Sequence, residues 1–250
     1  MRSTKKIVIV GATSSIAEHC ARHWVQAGPV DLSLLGRDLG RLDRIAADLG
    51  VRSPASTIQT QQADFLDPAT IQATVDAIVA RGRVDIVLIA QGSLPDQPAC
   101  QDDLSACNDA LQINAISPVL YAEAFAKHLA AADHGTLVVI GSVAGDRGRR
   151  SNYVYGAAKG LVARYLQGLQ HRFANTGVQV VLIKPGPTDT PMTAHLKRQG
   201  ARLAPVQVVA EQIVAAAADG TSTRYTPRRW RLIMLVIMHL PAFVFKKLNI

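Results

Sequence analysis

Apolar residues run along this chain in two alternating rhythms. Short β-branched runs stand at residues 6–10, 31–35, 57–61, 85–90, 136–140 and 179–183. Between them lie Ala-rich stretches whose apolar positions return every three or four residues, as at 14–27, 39–49 and 68–81. The first rhythm predicts strands with both faces covered, the second helices with one apolar side. Strand and helix repeated in this order predict an α/β fold: one doubly wound parallel sheet in three layers, with right-handed crossovers and helices on both faces. Pro95 and Pro98 mark a loop, and no low-complexity linker divides the chain. A single domain is expected over residues 1–226, followed by an apolar and basic extension over 227–250.

Composition narrows this picture. The chain has 250 residues, of which 48% are hydrophobic, enough for one large core. Three cysteines, Cys20, Cys100 and Cys107, lack metal-type spacing and leave an odd thiol. They fit small buried hydrophobes in a reducing cytosol better than a disulfide framework. The apolar run at 7–10 is too short for a secretion signal. The formal net charge is +8, but the basic residues cluster locally, around Arg147, Arg149 and Arg150 and again from Arg224 onward. Only 5% of residues are aromatic and no nucleic-acid motif accompanies the charge, so nucleic acid is not expected as a partner.

Candidate chemistry sits where predicted strands end. The first strand runs into Gly11-Ala12-Thr13-Ser14-Ser15-Ile16-Ala17 and then a helix. A glycine at a tight strand-to-helix turn lets a pyrophosphate approach backbone N–H groups and the positive helix end, and the hydroxyls of Thr13, Ser14 and Ser15 can donate to it. Thr13 or Ser14 also suits the helix N-cap. The second strand ends in Gly36-Arg37. An acidic residue here would suit the ribose of NAD(H), whereas the forked cation of Arg37 suits a 2′-phosphate and favours NADP(H). Asp64 and Phe65, after the third strand, are placed to meet an adenine, although Phe65 suits core packing equally well.

The second group of candidates follows later strands. Ser142 comes after the strand at 136–140, where open α/β sheets bind ligands. Tyr155 and Lys159 are four residues apart with small residues between them, so they share one helix face. A lysine cation beside a phenol favours the phenolate and lowers its pKa, which makes the pair an acid/base device. Asn114 stands inside a helical pattern that it would tend to bend, freeing a carbonyl for a water. Pro185-Gly186-Pro187-Thr188-Asp189-Thr190 forms a rigid loop whose backbone and Thr190 hydroxyl can meet a carboxamide.

The ordered set Gly11, Asp64, Asn114, Ser142, Tyr155, Lys159 and Pro185-Gly186 resembles the short-chain dehydrogenase/reductase family, over nearly the whole chain to about residue 226. The resemblance implies a Rossmann domain, hydride transfer between NAD(P)(H) and a carbonyl or alcohol, and a homo-oligomer. It implies Tyr155 as general acid/base, Lys159 as its electrostatic partner and ribose ligand, Ser142 as stabiliser of the substrate oxygen and Asn114 as relay residue. Cofactor contacts are implied for Gly11, Thr13, Ser14, Ser15, Ile16, Arg37, Asp64, Phe65, Gln91, Gly92, Tyr155, Lys159, Pro185, Gly186, Thr188 and Thr190. Tyr153 is not equivalent, because Ala157 stands four residues on.

Two departures from the family pattern stand out. The usual second and third glycines are Ser15 and Ala17, and the usual Asn-Asn-Ala-Gly reads Ile89-Ala90-Gln91-Gly92. Both are similar to a divergent subgroup that includes the decaprenylphosphoryl-ketoribose reductases. Arg228, Arg229 and Trp230 then precede an apolar tail closed by Lys246 and Lys247. Interrupted by His239 and Pro241, it falls short of the roughly 20 residues that span a bilayer. Its flanks fit a helix lying on the inner face of a membrane as well as one packed on protein, and at the substrate entrance it would favour a lipid-like carbonyl. The fold alone also leaves room for a non-catalytic dinucleotide-binding regulator or a membrane-docked scaffold.

Overall fold

The computed structural model describes residues 4–248. The strands are β1 (Lys5–Val10), β2 (Val30–Gly36), β3 (Thr57–Gln62), β4 (Ile86–Ile89), β5 (Gly135–Ile140), β6 (Val178–Pro185) and β7 (Thr223–Thr226). They form one parallel sheet in the order β3-β2-β1-β4-β5-β6-β7. Side chains along each inner strand alternate between two cores, as period-two geometry requires. Val8 and Val10 point to one layer and Ile7 and Ile9 to the other. Val87 and Leu137 fall in the first layer, Leu88 and Val138 in the second. All of these are 0% exposed, which explains why the strands read as unbroken apolar runs.

The flanking helices are α1 (Ser15–Ala27), α2 (Leu39–Arg52), α3 (Pro68–Val79), α4 (Gln97–Asp102), α5 (Leu104–Leu111), α6 (Ser117–Ala132), α7 (Tyr153–Arg172), α8 (Ala194–Arg198), α9 (Val206–Asp219), α10 (Trp230–His239) and α11 (Ala242–Phe245). Helices α1, α2 and α9 cover one face of the sheet, α3, α6 and α7 the other. The crossovers reverse direction between β1 and β4, so the connections leaving those strands run to opposite faces of the sheet and open a crevice at the strands' carboxyl ends.

Six predicted strands are present within a few residues of their expected ends. The seventh, Thr-Arg-Tyr-Thr, has no apolar run to announce it and pairs with β6 at the edge of the sheet. The expected loop at Pro95 and Pro98 is in part a helix: Pro98 sits in the first turn of α4, where its missing N–H costs nothing, and Asp96 caps that turn through Ala99 N at 3.3 Å. Ser14 occupies the N-cap position of α1 as expected, but its side chain makes no capping bond.

The tail packs on the domain with one face and presents the other to solvent. Trp230 lies so close to Gly186 that a Cβ there would stand 1.9 Å from the indole Nε1. Met234 is fully buried, and the Arg147 guanidinium donates to the Ile237 carbonyl and stacks 3.8 Å from the Phe245 ring centre. Leu232, Leu235 and Val236 on the other face are 69%, 51% and 62% exposed. Among the described residues no helix is long and apolar enough to cross a membrane. Because Met234 is the buried anchor of α10, Met234→Gly, which removes the buried side chain and weakens the helix, should release it. Trypsin would then cut at Arg228, Arg229 and Arg231 faster than in the native chain, a difference that timed digestion and mass spectrometry would show.

Candidate active site

Gly11 opens the crevice. Its φ of +79° is a backbone conformation that L side chains rarely adopt, and a Cβ would sit 2.5 Å from the Gln91 backbone N. This approach links the end of β1 to the segment after β4. The groove beside it has about 1020 Å³ of open space and is lined by Gly11, Thr13, Ser14, Ser15 and Ile16, then by Arg37, Phe65, Gln91, Gly92 and Thr190. It fits an extended anionic ligand, with small residues at the turn, three hydroxyls along it, and Arg37 with Arg41 at one end. Gln91 donates from Nε2 to Ser117 Oγ at 3.3 Å, while its buried Oε1 has no partner among the described residues.

Asp64 lines a separate pocket beside the groove, with Arg37 and Phe65 shared between the two. Its Oδ1 accepts from Leu66 N at 2.6 Å and Asp67 N at 2.9 Å, and these bonds hold its pKa low. The expected acceptor for an adenine amino group is thus already organising the turn into α3. Phe65 is both core and wall: it packs edge-on against Tyr121 at 5.9 Å and lies 5.7 Å from the Arg37 guanidinium.

A second cavity of about 160 Å³ adjoins the groove and shares Ser14, Ile16, Gln91, Gly92 and Thr190 with it. Asn114, Ser142, Tyr155, Lys159, Pro185, Gly186 and Thr188 also line it. Four separate elements bring these residues together. Asn114 lies in a π-turn, Gln112–Ile116, between α5 and α6, the expected bend. Its buried side chain accepts from Ser93 N at 2.9 Å and donates to Ala110 O at 2.9 Å. Ser142 follows β5 and accepts from Ala144 N at 3.1 Å. Tyr155 and Lys159 lie on the first two turns of α7. Lys159 Nζ donates to Ile140 O at 3.1 Å and stands 5.8 Å from the Tyr155 ring centre.

The titration directions differ from the simple expectation for a lysine–phenol pair. Burial pushes the Tyr155 phenol above its ordinary pKa, with a hydrogen bond from Ser142 pulling the other way. Burial also pushes the buried Lys159 down to about 8. Desolvation of both groups outweighs their mutual influence in the free chain.

The loop after β6 is shaped by its own contacts. Thr188 Oγ1 donates to Gly186 O at 2.9 Å, and Thr190 pairs with Thr193 in a reciprocal cap. Several functional candidates had no individual signal in the sequence. Arg41 joins Arg37 on the groove one helical turn later, and Arg149 and Asn152 line the inner cavity. Asp146 accepts from Lys184 Nζ at 2.5 Å and from Tyr225 Oη at 2.8 Å. That buried pair ties the segment after Ser142 to β6 and β7, fixing one wall of the cavity.

The comparisons with known proteins agree with this geometry. The short chain dehydrogenase family model matches residues 5–201. An uncharacterized oxidoreductase of Streptomyces coelicolor is 31% identical over 246 residues, covering 98% of this chain and 96% of the relative. The cis-4-hydroxycyclohexanecarboxylate dehydrogenase of Sinomonas cyclohexanicum is 28% identical over 228 residues, covering 86% and 90% respectively. A short-chain dehydrogenase from Sphingobium yanoikuyae, solved in complex with NADPH, superposes with a TM-score of 0.82 at 23% identity, covering 95% of this chain and 97% of its own. With a parallel sheet, a glycine-opened crevice and a Ser-Tyr-Lys cavity beside it, this chain belongs to the short-chain dehydrogenase family, whose members are NAD(P)(H)-binding oxidoreductases.

Proposed function

We propose that the protein is an NADP(H)-dependent carbonyl reductase or alcohol dehydrogenase whose proton-transfer group is Tyr155. The observation that carries this reading is the convergence of Ser142, Tyr155, Lys159 and Asn114 on one cavity beside the groove. NADPH bound in the groove would supply a hydride to the carbonyl carbon and leave as NADP⁺. As the C=O bond opens, negative charge gathers on the oxygen, and the Tyr155 O–H delivers its proton there, leaving a phenolate. Ser142 can donate a hydrogen bond to the same oxygen. Lys159 holds a positive charge near the phenol and lowers the cost of the phenolate. Asn114 Oδ1 and Lys159 Nζ flank the same residue, lying 3.0 and 3.5 Å from where a Cβ at Gly92 would be, a placement suited to passing a proton inward. In the oxidative direction each transfer runs backwards.

Two arginines on the groove support NADP(H). Arg37 and Arg41 both line it, while the nearby carboxylate of Asp38 accepts from Arg41 N at 2.9 Å as the cap of α2. A ribose 2′-phosphate would meet two cations there. A regulator that only bound a dinucleotide would gain nothing from a proton donor inside the adjoining cavity. The relative from Sinomonas is named for a substrate bearing a secondary alcohol, which fits the same reaction type.

Tyr155→Phe should keep NADPH binding and lose turnover by about a thousandfold or more, as removal of a proton-transfer group requires. Retained ketone reduction by this variant, followed through NADPH oxidation, would sink the mechanism. Replacing Arg37 and Arg41 together with Ala should weaken NADPH by about tenfold or more while changing NADH little, read by nucleotide fluorescence titration. Lys159 gives a stability prediction as well. Its folded pKa, about 8, lies below its ordinary 10.5, so the unfolded chain holds the proton more tightly between those values. Unfolding free energy therefore gains from this group as pH rises through that window, and the penalty is complete below it. Lys159→Met should stabilise the free protein at pH 7 by up to about 3 kcal/mol, at about 1.4 kcal/mol per pH unit, with the advantage shrinking toward pH 10 in denaturant melts.

A further inference from the structure

The inner cavity carries a charge imbalance. Two cationic side chains, Lys159 and Arg149, line it, and among the described residues no aspartate or glutamate does. Lys159 has a place in the proposed proton transfer; Arg149 does not.

Arg149 is poorly matched where it stands. Its Nε is buried with no partner among the described residues, and Nη2 donates to the Met234 thioether at 3.5 Å, a weak and uncharged acceptor. Among the described residues the compensating charge is Asp146, whose two oxygens are already held by Lys184 and Tyr225. Burial pushes the Arg149 guanidinium below its ordinary pKa, with Asp146 opposing. Two other partly buried arginines meet carboxylates, Arg22 with Glu18 and Asp48 and Arg224 with Asp219, and a third, Arg147, donates to the backbone carbonyls of Ile237 and Met238. Asn152, three residues on, lines the same cavity and has a buried Oδ1 without a partner among the described residues. The ends of an amide are assigned by the hydrogen bonds they make, so Asn152 can present its N–H₂ to an incoming acceptor. A forked cation beside an adaptable amide is a receptor for an oxyanion. The remaining wall includes Leu94, Val143, Met192 and Leu196, so the body joining that anion to the reacting carbon would be apolar.

We propose that Arg149, with Asn152, binds an anionic group on the substrate, which makes the substrate a ketone or secondary alcohol carrying a carboxylate or phosphate on an apolar frame. This rests on the reductase reading above and narrows it. Three matched probes test it: a cyclohexanone bearing a carboxylate, the same ketone as its methyl ester, and the same ring bearing a phosphate. In the native protein the carboxylate or the phosphate should exceed the ester in kcat/KM by about tenfold or more, and the better of the two identifies the anion. Arg149→Gln should collapse that ratio toward one, and Arg149→Lys should restore part of it, since a point charge replaces the fork. A native preference for the ester, or a ratio that Arg149→Gln leaves unchanged, overturns the proposal. Circular dichroism of each variant establishes that it folds.

Failure of the reductase reading would look different: NADPH would bind, and none of the three ketones would be reduced. The site is then tested by equilibrium titration of the NADP⁺ complex with the carboxylate and the phosphate. Saturable binding weakened about tenfold or more by Arg149→Gln supports the anion site, whereas absent or unchanged binding overturns it.

Discussion

The whole arrangement depends on burying a parallel sheet on both faces. Once Ile7, Val8, Ile9 and Val10 are sealed between two helical layers, no polar group can act from the middle of the sheet. Chemistry is confined to the rim, and parallel strands present only carboxyl ends at one rim. In-register pairing from Val10 through Ile89 to Val139 and Leu182 then aligns those ends. Gly11, Gln91, Ser142 and Gly186 therefore arrive side by side although the chain separates them widely. Tyr155 and Lys159 arrive separately, on the opening turns of α7, and meet Ser142 because that helix follows β5 and turns back over the same rim.

Within that rim, charge is managed unevenly. Asp146 and Lys184 neutralise each other, and Tyr225 takes the remaining carboxylate oxygen. This couples the serine segment to β6 and β7, so this short, polar edge strand has a structural purpose. It also occupies the acid that, among the described residues, acts on Arg149. Lys159 is left buried with a backbone carbonyl as its hydrogen-bond partner. Two uncompensated cations in one cavity cost stability in the free chain, and such a cost persists where binding needs it.

The inner strands were legible because burial on both faces leaves a strong apolar trace, whereas the exposed edge strand β3 showed only its β-branched residues; the Gly11 turn and Tyr155–Lys159 spacing were legible because both are local. What escaped the sequence was long-range. β7 is polar and exists through its pairing with β6. The helix at Gln97–Asp102 was masked by prolines that are harmless in a first turn. Asp146, Lys184 and Tyr225 lie 38 and 79 positions apart, and nothing local ties them together. Arg149 read as one member of a basic cluster, because a sequence displays charges but not which of them cancel. The same blindness explains the titration of Tyr155 and Lys159: their spacing suggests mutual influence, while the depth that decides the direction is a tertiary property.

Gly186 lines the cavity and receives the Trp230 indole where a Cβ would stand. Helix α10 is thereby fixed through Trp230, Met234 and the guanidinium of Arg149, the same side chain that reaches the inner cavity. A carboxylate or phosphate drawn to Arg149 would compete with the Met234 thioether for its N–H groups, and a charged acceptor wins that competition. Ligand recognition and the seating of the tail are thus coupled through one guanidinium, so the apolar face of α10 stands on an element whose anchor the substrate can adjust.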